Sequence, residues 1–459
     1  MGRGQRFGYC RAMHKGQPTR ADLCEIIDRL AARIQVLEAE LRESRRREAE
    51  LEAEVERLRG RPSPPSWVKK NAPPRTGPKQ ARKNRAQSFS RPRGTPTKRE
   101  VHAAAECPKC GCVLMGGTIK RHREVIEIEL PPVTVTDHVL MERTCPRCGT
   151  STTPVLGAAD DVVGQHRFGS RLLALITTWH EVARMPVRTI QTQLETLFGV
   201  HVSLGGIEDA LHTTAESGAE RAVAIRDEIR QSGVVHADET GWREDGQNRY
   251  VWLIATTTAR YFELGPRTNE QIDQILGPDF GGVLVCDFYA AYNHFSGEKQ
   301  RCWAHLLRDV ADLVERYPDD HELATWGQQI RLVYRRARDE PRDTAPERQA
   351  ARHRLETELA GHCTPWLGKA VPQRTLCQRI VDHLHELLTF VTRPEVPSTN
   401  NEAERALRPL VIARKVWGGT RSSRGSTDAM RRATLVHTCR AQNGNPFLAT
   451  QQLQLSAQN

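Results

Sequence analysis

The clearest pattern of apolar positions along the chain is a seven-residue repeat between Leu23 and Leu58. Leucine returns every seven residues, interrupted at Ser44, and a mostly branched aliphatic residue follows four positions after each of these places. With charged residues between the apolar ones, this pattern favours a parallel two-stranded coiled coil over a single amphipathic helix packed on its own domain. We therefore predict a coiled coil that pairs two copies of the chain.

The repeat is followed by a segment that cannot bury a core. Residues 61–99 contain twelve Lys or Arg and eight Pro, and no Asp or Glu. Such a composition is typical of an extended linker. Its unopposed positive charge would also bind phosphates without sequence preference, and a solvating spacer is the alternative.

Two short cysteine motifs come next, "CPKCGC" at 107–112 and "CPRCG" at 145–149. Each has the Cys-x-x-Cys-Gly spacing of a zinc knuckle, so a zinc ribbon is favoured over a redox pair. The predicted zinc ligands are Cys107, Cys110, Cys145 and Cys148, and Cys112 is left as a spare thiol. Between the knuckles, residues 123–144 alternate apolar and polar side chains, which predicts a pair of strands.

Helical periodicity marks residues 168–222. The stretch "MPVRTIQTQLETLFGVHVSLGGIEDAL" contains one helix, a turn at Gly199 and a second helix from about Ser203. This spacing is similar to that of a helix-turn-helix, but two short helices packed across a glycine turn give the same pattern. DNA reading and plain packing both stay open for this segment.

From Gln231 the periodicity changes to that of strands. The chain presents three strand candidates in succession, "GVVHADETGW", "RYVWLIATTTA" and "RYFELG", then a short helix "NEQIDQILG" and a fourth strand "GGVLVCDFYAAY". This is the order of an RNase H-like sheet, in which the first and fourth strands lie side by side. The first ends on Asp238 and the fourth on Asp287, so we expect these two carboxylates to meet.

Two carboxylates at one edge repel each other unless a cation lies between them. Their oxygen ligands suit Mg²⁺ or Mn²⁺. A pair of such ions could activate an attacking oxygen and stabilise a leaving one during phosphodiester cleavage. Acids that simply end strands in solvent are the alternative. Glu239 is then a neighbour of the site, and its side chain either faces solvent or holds Asp238 in position.

A third acid is expected from the helix that opens within "STNNEAERALRPLVIARK" at 398–415. Thr399 with Glu402, and Asn401 with Glu404, both have the spacing of a capping box, which would give the glutamate a structural role. Composition does not choose between Glu402 and Glu404.

More than a hundred residues separate Asp287 from that helix, and they have helical periodicity. The sheet is therefore expected to be interrupted by a helical insertion. Cys302 and His305 stand three positions apart at its start. Metal ligation is one interpretation of this pair, and a buried cysteine with a core histidine on one helical face is the one we favour.

The composition of the chain indicates the class of molecule that it binds. The chain has 459 residues, enough for several domains, and its formal net charge of +11 favours a polyanionic partner over a merely solvated surface. Twelve cysteines, several of them lone and scattered, do not form the pattern of a secreted disulfide framework. No apolar run approaches the length of a membrane span. We expect a soluble protein of a reducing compartment.

Taken together, the motifs resemble those of bacterial insertion-sequence transposases of the IS66 type. The resemblance covers nearly the whole chain and is carried by the leucine repeat, the two cysteine knuckles, "HADETGWR", "CDFYAAYN", "RCWAHLLRD" and "STNNEAERALRPLVIARK". It implies an RNase H-like catalytic domain with two aspartates and a glutamate, a DDE triad. Asp238 matches the first aspartate, Asp287 the second, and Glu404 the glutamate of the Asn-Asn-x-x-Glu-Arg pattern.

The resemblance has further implications and some departures. Cys302 and His305 match a Cys-x-x-His signature found in several DDE groups. The segment "VWGGTRSSRG" at 416–425 replaces an aromatic, asparagine-containing stretch that is usual in the family. The basic linker also lacks a glycine- and histidine-rich phrase that is common in relatives.

The fold that we predict is multidomain α/β, with an N-terminal coiled coil, a zinc ribbon, a helix-turn-helix-like domain and an RNase H-like mixed sheet interrupted by an all-α insertion. The expected boundaries are 22–60 for the coiled coil, 61–100 for the basic linker, 101–155 for the ribbon, 165–228 for the helical DNA-binding domain, 229–302 and 396–459 for the two parts of the core with the C-terminal tail, and 303–395 for the insertion.

The resemblance implies a DDE transposase of the bacterial cytoplasm, associated with the nucleoid, that uses Mg²⁺ or Mn²⁺ at its three acids and structural Zn²⁺ at its ribbon. Its expected partners are the element ends and target DNA, a second copy of the chain, and small accessory proteins. Phosphate contacts are expected from Arg405, Arg408, Arg414 and Lys415, for which a solvated helix face is the alternative. The rival functions are a non-enzymatic DNA-binding regulator or inactive transposase derivative, and a nuclease without strand transfer.

Overall fold

The computed structural model describes residues 32–48, 50, 95–128, 131–164 and 167–456. The chain divides into two compact units, Met1–Val125 and Ile126–Asn459, and each is described by itself. None of the described helices is both long and apolar enough to cross a membrane.

In the first unit, helix α1 is described over residues 32–48. The side chains of Ile34, Leu37 and Leu41 are about half exposed, at 55%, 47% and 50%. An uncovered apolar stripe is what one strand of a coiled coil leaves when its partner is absent. The rest of the predicted coiled coil and most of the basic linker lie outside the described residues, so pairing stays a prediction.

The two cysteine knuckles, one in each unit, have the same backbone turn. In the first, the Gly111 N–H donates to the Cys107 carbonyl at 2.8 Å, and φ of Gly111 is +72°. In the second, the Gly149 N–H donates to the Cys145 carbonyl at 2.9 Å, and φ of Gly149 is +70°. Glycine is required because other side chains rarely adopt this conformation. The four-cysteine zinc site itself stays a prediction.

The pair of strands predicted between the knuckles is wrong. The described residues 123–128 and 131–142 contain no strand, and the only ladder nearby joins β1, Arg143–Thr144, to β2, Ser151–Thr152. Val125 and Val135 are exposed by 75% and 90%. An alternating pattern makes a stable strand only where a surface covers its apolar face, and these side chains meet none in the described chain.

In the second unit, four described helices precede the sheet. They are α2, Ser170–Glu181; α3, Val187–Phe198; α4, Leu204–Ser217; and α5, Ala219–Arg230. Gly199, with φ of +64°, ends α3, and the Ser203 side chain caps α4 by accepting the Gly206 N–H at 3.1 Å. The predicted helix, glycine turn and second helix are confirmed here, whereas DNA reading by them stays a prediction.

The sheet has five strands in the order β5-β4-β3-β6-β7. Their bounds are β3, Val234–Glu244; β4, Gln247–Ala255; β5, Arg260–Gly265; β6, Val283–Cys286; and β7, Lys299–Arg301, with helix α6, Gln271–Leu276, between β5 and β6. The first three pair antiparallel, and β6 and β7 run parallel to β3. Strands β3 and β6, the first and fourth of the sheet in chain order, therefore lie side by side, as the sequence predicts.

Six helices follow β7 and form the insertion. They are α7, Trp303–Arg316; α8, His321–Asp339; α9, Ala345–Cys363; α10, Arg374–Asp382; α11, Leu384–Leu387; and α12, Thr389–Thr392. Short 3₁₀ turns span Ala158–Asp160, Ala290–Asn293 and Thr364–Trp366. The insertion has its own apolar core, built around the buried side chains of Trp303, Trp326 and Leu359.

The chain then returns to the sheet through α13, Asn401–Trp417, α14, Ser423–Ala441, and α15, Pro446–Ser456. Helices α13 and α14 cover one face of the sheet, where Val251 and Leu253 of β4 are buried. Helices α5 and α6 cover the other face, where Trp252 and Ile254 are buried. Since successive strand residues point to opposite faces, β4 is apolar throughout its buried part.

Candidate active site

The register of β3 and β6 brings the two predicted aspartates together. His236 lies opposite Val285 in this parallel pair. Two residues further along each chain segment, Asp238 and Asp287 are the next side chains on the same side of the sheet. Their mutual charge is among the causes that raise the pKa of Asp238.

The expectation that the first strand ends at Asp238 is wrong. Strand β3 continues to Glu244, and Asp238 pairs with Leu253 of β4. The strand that ends is β6, at Cys286, just before Asp287. Asp238 therefore lies in mid-strand, held by β4 on one side, at the point where its neighbour on the other side stops.

Alternation along β3 separates the two adjacent acids of this segment. Asp238 is on the face that α13 covers, and Glu239 is on the opposite face. The Glu239 side chain is only 6% exposed, and it accepts hydrogen bonds from Arg267 at 2.9 Å and from the Tyr292 hydroxyl at 2.9 Å. Glu239 is thus not a solvent-facing residue, and its oxygens are occupied by Arg267 and Tyr292.

Electrostatics at Asp238 favour a cation. Burial and the charges of Glu239, Asp287 and Glu404 raise the pKa of Asp238 to about 7. Burial and the charge of Asp287 also raise the pKa of Glu239. Several carboxyl groups are therefore confined where their negative charge is poorly solvated, and a bound positive ion would relieve that cost.

The third acid of the group is Glu404, in the first turn of α13. Its charge acts on Asp238, and its Oε1 atom is buried and accepts no hydrogen bond from the described residues. Glu402 instead pairs with the buried Arg260 and with Arg405. Of the two glutamates that spacing left open, the geometry places Glu404 beside the aspartates.

Neither of the two possible capping boxes forms. Helix α13 has Asn400 as its N-cap residue, and no side chain makes a capping hydrogen bond there. The Asn400 side chain is turned to the sheet instead. Glu402 and Glu404 are therefore free of the capping role that their spacing allowed.

Asn400 joins α13 to β3. It is fully buried, and its Nδ2 atom donates to the Ala237 carbonyl at 2.7 Å, next to Asp238. Its Oδ1 atom lies 3.1 Å from His236 Nδ1, and its own carbonyl accepts the Glu404 N–H at 3.2 Å. One asparagine thus fixes the helix that carries Glu404 against the strand that carries Asp238.

The same residue reaches the loop of Asp287 through Cys302. The Asn400 backbone N–H donates to Cys302 Sγ at 3.1 Å. The Cys302 N–H in turn donates to the carbonyl of Cys286 at 2.9 Å. Because Cys286 directly precedes Asp287, the neighbours of all three acids are connected by this short chain of hydrogen bonds.

Arg301 connects the insertion to Asp287. Its side chain is fully buried and donates to the Asp287 carbonyl at 2.8 Å and to Asn293 Oδ1 at 2.6 Å. Its Nε atom pairs with Glu386 of α11 at 2.6 Å. The insertion therefore contributes, through Arg301 of β7, to the position of the loop that carries Asp287.

The pair Cys302 and His305 is not the core pair that we favoured. Cys302 is buried, but the His305 side chain is 29% exposed and its Nε2 atom lies 3.5 Å from Glu404 Oε1. The neighbouring Cys302 side chain, opposed by burial and aided by the charges of Asp287 and Glu404, raises the pKa of His305 to about 9. His305 thus belongs to the surroundings of the acids.

The four predicted phosphate contacts differ in their surroundings. Arg405, Arg408 and Lys415 are exposed along α13. Arg414 is half-buried, and it donates to the Thr240 hydroxyl at 2.7 Å and the Gly241 carbonyl at 2.6 Å. Arg414 therefore has a structural contact with β3, and DNA contacts by all four residues stay predictions.

Replacing Asn400 with alanine is expected to lower the free energy of unfolding by about 2–4 kcal/mol, because the Ala237 carbonyl and His236 lose their partner inside the protein. Thermal or denaturant unfolding measures this change. The adjacent Asn401 is exposed, so Asn401→Ala is the matched control, with an expected change within about 0.5 kcal/mol. Equal effects of the two substitutions would contradict the role of Asn400.

Comparison with known proteins provides an independent observation. Residues 165–428 match the profile of the family described as "Transposase IS66 family". An uncharacterized protein of Sinorhizobium fredii, y4hP, is 24% identical over 218 residues, covering 42% of this chain and 39% of that protein. The family match includes Asp238, Asp287 and Glu404.

Proposed function

Because the chain belongs to the IS66 family of transposases, as the match over residues 165–428 shows, we propose that it cleaves and joins DNA strands in a metal-dependent reaction. The proposed catalytic residues are Asp238, Asp287 and Glu404. The observation that supports this most is their convergence, since they come from a mid-strand position, a loop after a second strand and the first turn of a helix.

The donor set fits Mg²⁺ or Mn²⁺. Three carboxylates are the hard oxygen ligands that these ions prefer. The pKa of Asp238 is raised, and the buried Glu404 Oε1 has no hydrogen bond from the described residues. A divalent cation would stabilise the negative charge of Asp238 and give the Glu404 oxygen a partner. When bound, such ions activate an attacking oxygen and stabilise a leaving one.

The contribution of the protein is to hold the three acids in place. Asp238 is fixed in the sheet, since the β3 residues before and after it pair with β4. Asp287 is held through its carbonyl by Arg301, and Glu404 through its backbone by Asn400. These supports orient carboxylates whose mutual repulsion would otherwise separate them.

DNA is the proposed substrate and partner. The net charge of +11, the basic linker and the exposed basic residues of α13 supply phosphate contacts. We assign sequence-specific contacts with the element ends to α3, α4 and the zinc ribbon. Coiled-coil pairing fits a reaction that needs two DNA ends in one complex, and small accessory proteins complete the proposed set of partners.

The test is a strand-transfer assay with the full chain, Mg²⁺ and DNA that carries the ends of the element. We expect joined products that disappear when EDTA removes the metal. Sequence-specific binding without any cleavage would overturn the proposal in favour of a DNA-binding regulator. Cleavage without joined products would overturn it in favour of a nuclease.

The exposed basic residues of α13 give a separate prediction. Arg408→Ala and Lys415→Ala are each expected to lower the slope of log affinity against log salt by about 0.9, because each removes one phosphate contact. Binding titrations with duplex DNA at several salt concentrations measure this slope. Arg354, exposed on α9, supplies the control Arg354→Ala, whose slope should equal that of the unchanged chain. Unchanged slopes for both α13 variants would exclude these contacts.

A further inference from the structure

Three potential metal ligands of different chemistry meet beside the acids. One ligand atom each from Cys302, His305 and Glu404 lies within 4.8 Å of the other two. Cys302 is the N-cap of α7, His305 is in the first turn of that helix, and Glu404 is in the first turn of α13. The starts of two helices therefore present a thiol, an imidazole and a carboxylate to one point.

Two of these residues have a buried polar atom without a hydrogen bond to any described residue. His305 Nδ1 and Glu404 Oε1 are buried, and neither makes a hydrogen bond within the part of the chain that the structure describes. The distance of 3.5 Å from His305 Nε2 to Glu404 Oε1 is too long for a good hydrogen bond. Buried polar atoms are costly when unsatisfied, and a cation among them would remove that cost.

The third residue is prepared for a ligand role in a different way. Cys302 is fully buried, and its sulfur accepts the Asn400 N–H at 3.1 Å. Backbone N–H groups directed at sulfur are the usual support of thiolate ligands at metal sites. Its own N–H is fixed by the Cys286 carbonyl at 2.9 Å, so the thiol has a defined position.

We propose that Cys302, His305 and Glu404 form a second cation site, specific for thiophilic divalent ions such as Zn²⁺. A thiolate and an imidazole favour Zn²⁺ over Mg²⁺, whereas the carboxylates of the first site are hard ligands. Three protein ligands leave one tetrahedral position for water. The partial exposure of His305 and Glu404, each 29%, gives the ion access from solvent.

The two sites share Glu404, and this has a functional consequence. A thiophilic ion that binds Glu404 with Cys302 and His305 withdraws that carboxylate from Asp238 and Asp287. Zn²⁺ therefore competes with Mg²⁺ and inhibits strand cleavage. Binding to the second site does not depend on the proposed function, whereas the inhibition rests on it.

Cobalt spectroscopy of the full chain tests the binding, because thiolate ligation of Co²⁺ produces a strong near-ultraviolet absorption. The predicted ribbon cysteines contribute in every variant, so the informative quantity is the difference between variants. We expect Cys302→Ser to bind one Co²⁺ fewer than the unchanged chain and to lose part of the absorption. Cys363→Ser, at a buried cysteine of the insertion core, is the matched control and should keep both.

His305→Gln keeps the test decisive if Cys302→Ser does not fold, since it changes a partly exposed side chain. This variant should bind the same Co²⁺ at least about tenfold more weakly, since loss of a residue that only supports a ligand already costs about that much. Identical stoichiometry, affinity and absorption in the unchanged chain and in the folded variants would overturn the proposal.

Inhibition provides the second readout. In the Mg²⁺-dependent cleavage assay, the Zn²⁺ concentration for half-inhibition should rise at least about tenfold in any active His305→Gln preparation. Asp238→Asn removes a ligand of the proposed Mg²⁺ site only, so the cobalt absorption should persist in it. If the unchanged chain and all its variants show the cobalt signal but none cleaves DNA, the proposed function is overturned and the second site stands. Loss of the cobalt signal in Asp238→Asn would overturn the separate site.

Discussion

Asp287→Asn is expected to lower the rate of DNA strand cleavage at least about a thousandfold, which corresponds to roughly 4 kcal/mol of activation free energy. Asparagine has the same shape but removes the negative charge that would hold a divalent ion beside Asp238. Asp238→Asn and Glu404→Gln should have effects of the same order. The rate of cleavage of DNA that carries the element ends, measured at saturating Mg²⁺, tests this.

DNA affinity separates a catalytic effect from loss of the protein fold. The three amide variants should bind the element ends at least as tightly as the unchanged chain, since each removes negative charge near a polyanion. Asp245→Asn is the control, because Asp245 is exposed at the turn between β3 and β4 and should cleave normally. A rate for Asp287→Asn equal to that of Asp245→Asn would refute the assignment of the acids.

Arg301→Ala is expected to lower the free energy of unfolding by about 1–3 kcal/mol, because the Asp287 carbonyl and Asn293 Oδ1 lose a buried donor, while Glu386 keeps its pairs with Lys299 and His383. It should also lower the cleavage rate, since the Asp287 carbonyl loses the hydrogen bond that joins it to the insertion. Denaturant unfolding and the cleavage assay measure the two effects separately.

An exposed ion pair provides the comparison for Arg301. Arg393 pairs with Glu298 at 2.8 Å, and the two side chains are 50% and 37% exposed. Arg393→Ala should cost less than about 1 kcal/mol, since solvent screens such pairs, and it should leave cleavage unchanged. If Arg301→Ala were as mild as Arg393→Ala, the insertion would not support the loop of Asp287.

Four of the five strands were predictable from the sequence because apolar runs with turn-rich joints mark strands directly, and their order followed from the RNase H-like succession; the short polar strand β7 was not predicted. The meeting of Asp238 and Asp287 followed from the same pattern, since parallel neighbours bring equivalent positions together. The end of β3 was not predictable. It depends on how far β4 supplies hydrogen-bond partners, which is a property of the partner strand.

The supporting residues could not be identified from the sequence for a related reason. Asn400 and Arg301 are polar residues whose burial becomes visible only when distant segments meet. Asn400 lies in the segment that contains two possible capping boxes, and its side chain bonds to the sheet instead. Arg301 pairs with Glu386 across 85 positions of sequence. No local pattern records such contacts, since Arg301 lies in the short polar strand β7 and nothing in its neighbourhood indicates burial.

The hydrogen bonds of Asn400 have a consequence for how the protein is made. They reach back 163 positions to Ala237 and 98 positions to Cys302. A ribosome therefore produces both aspartates and the whole insertion before it produces the residue that aligns them, and such long-range contacts form late in folding. On the proposed function, a chain that terminates early has two acids without the third and without their alignment. Incomplete translation products of this protein would then be unable to cut the chromosome of the cell that makes them.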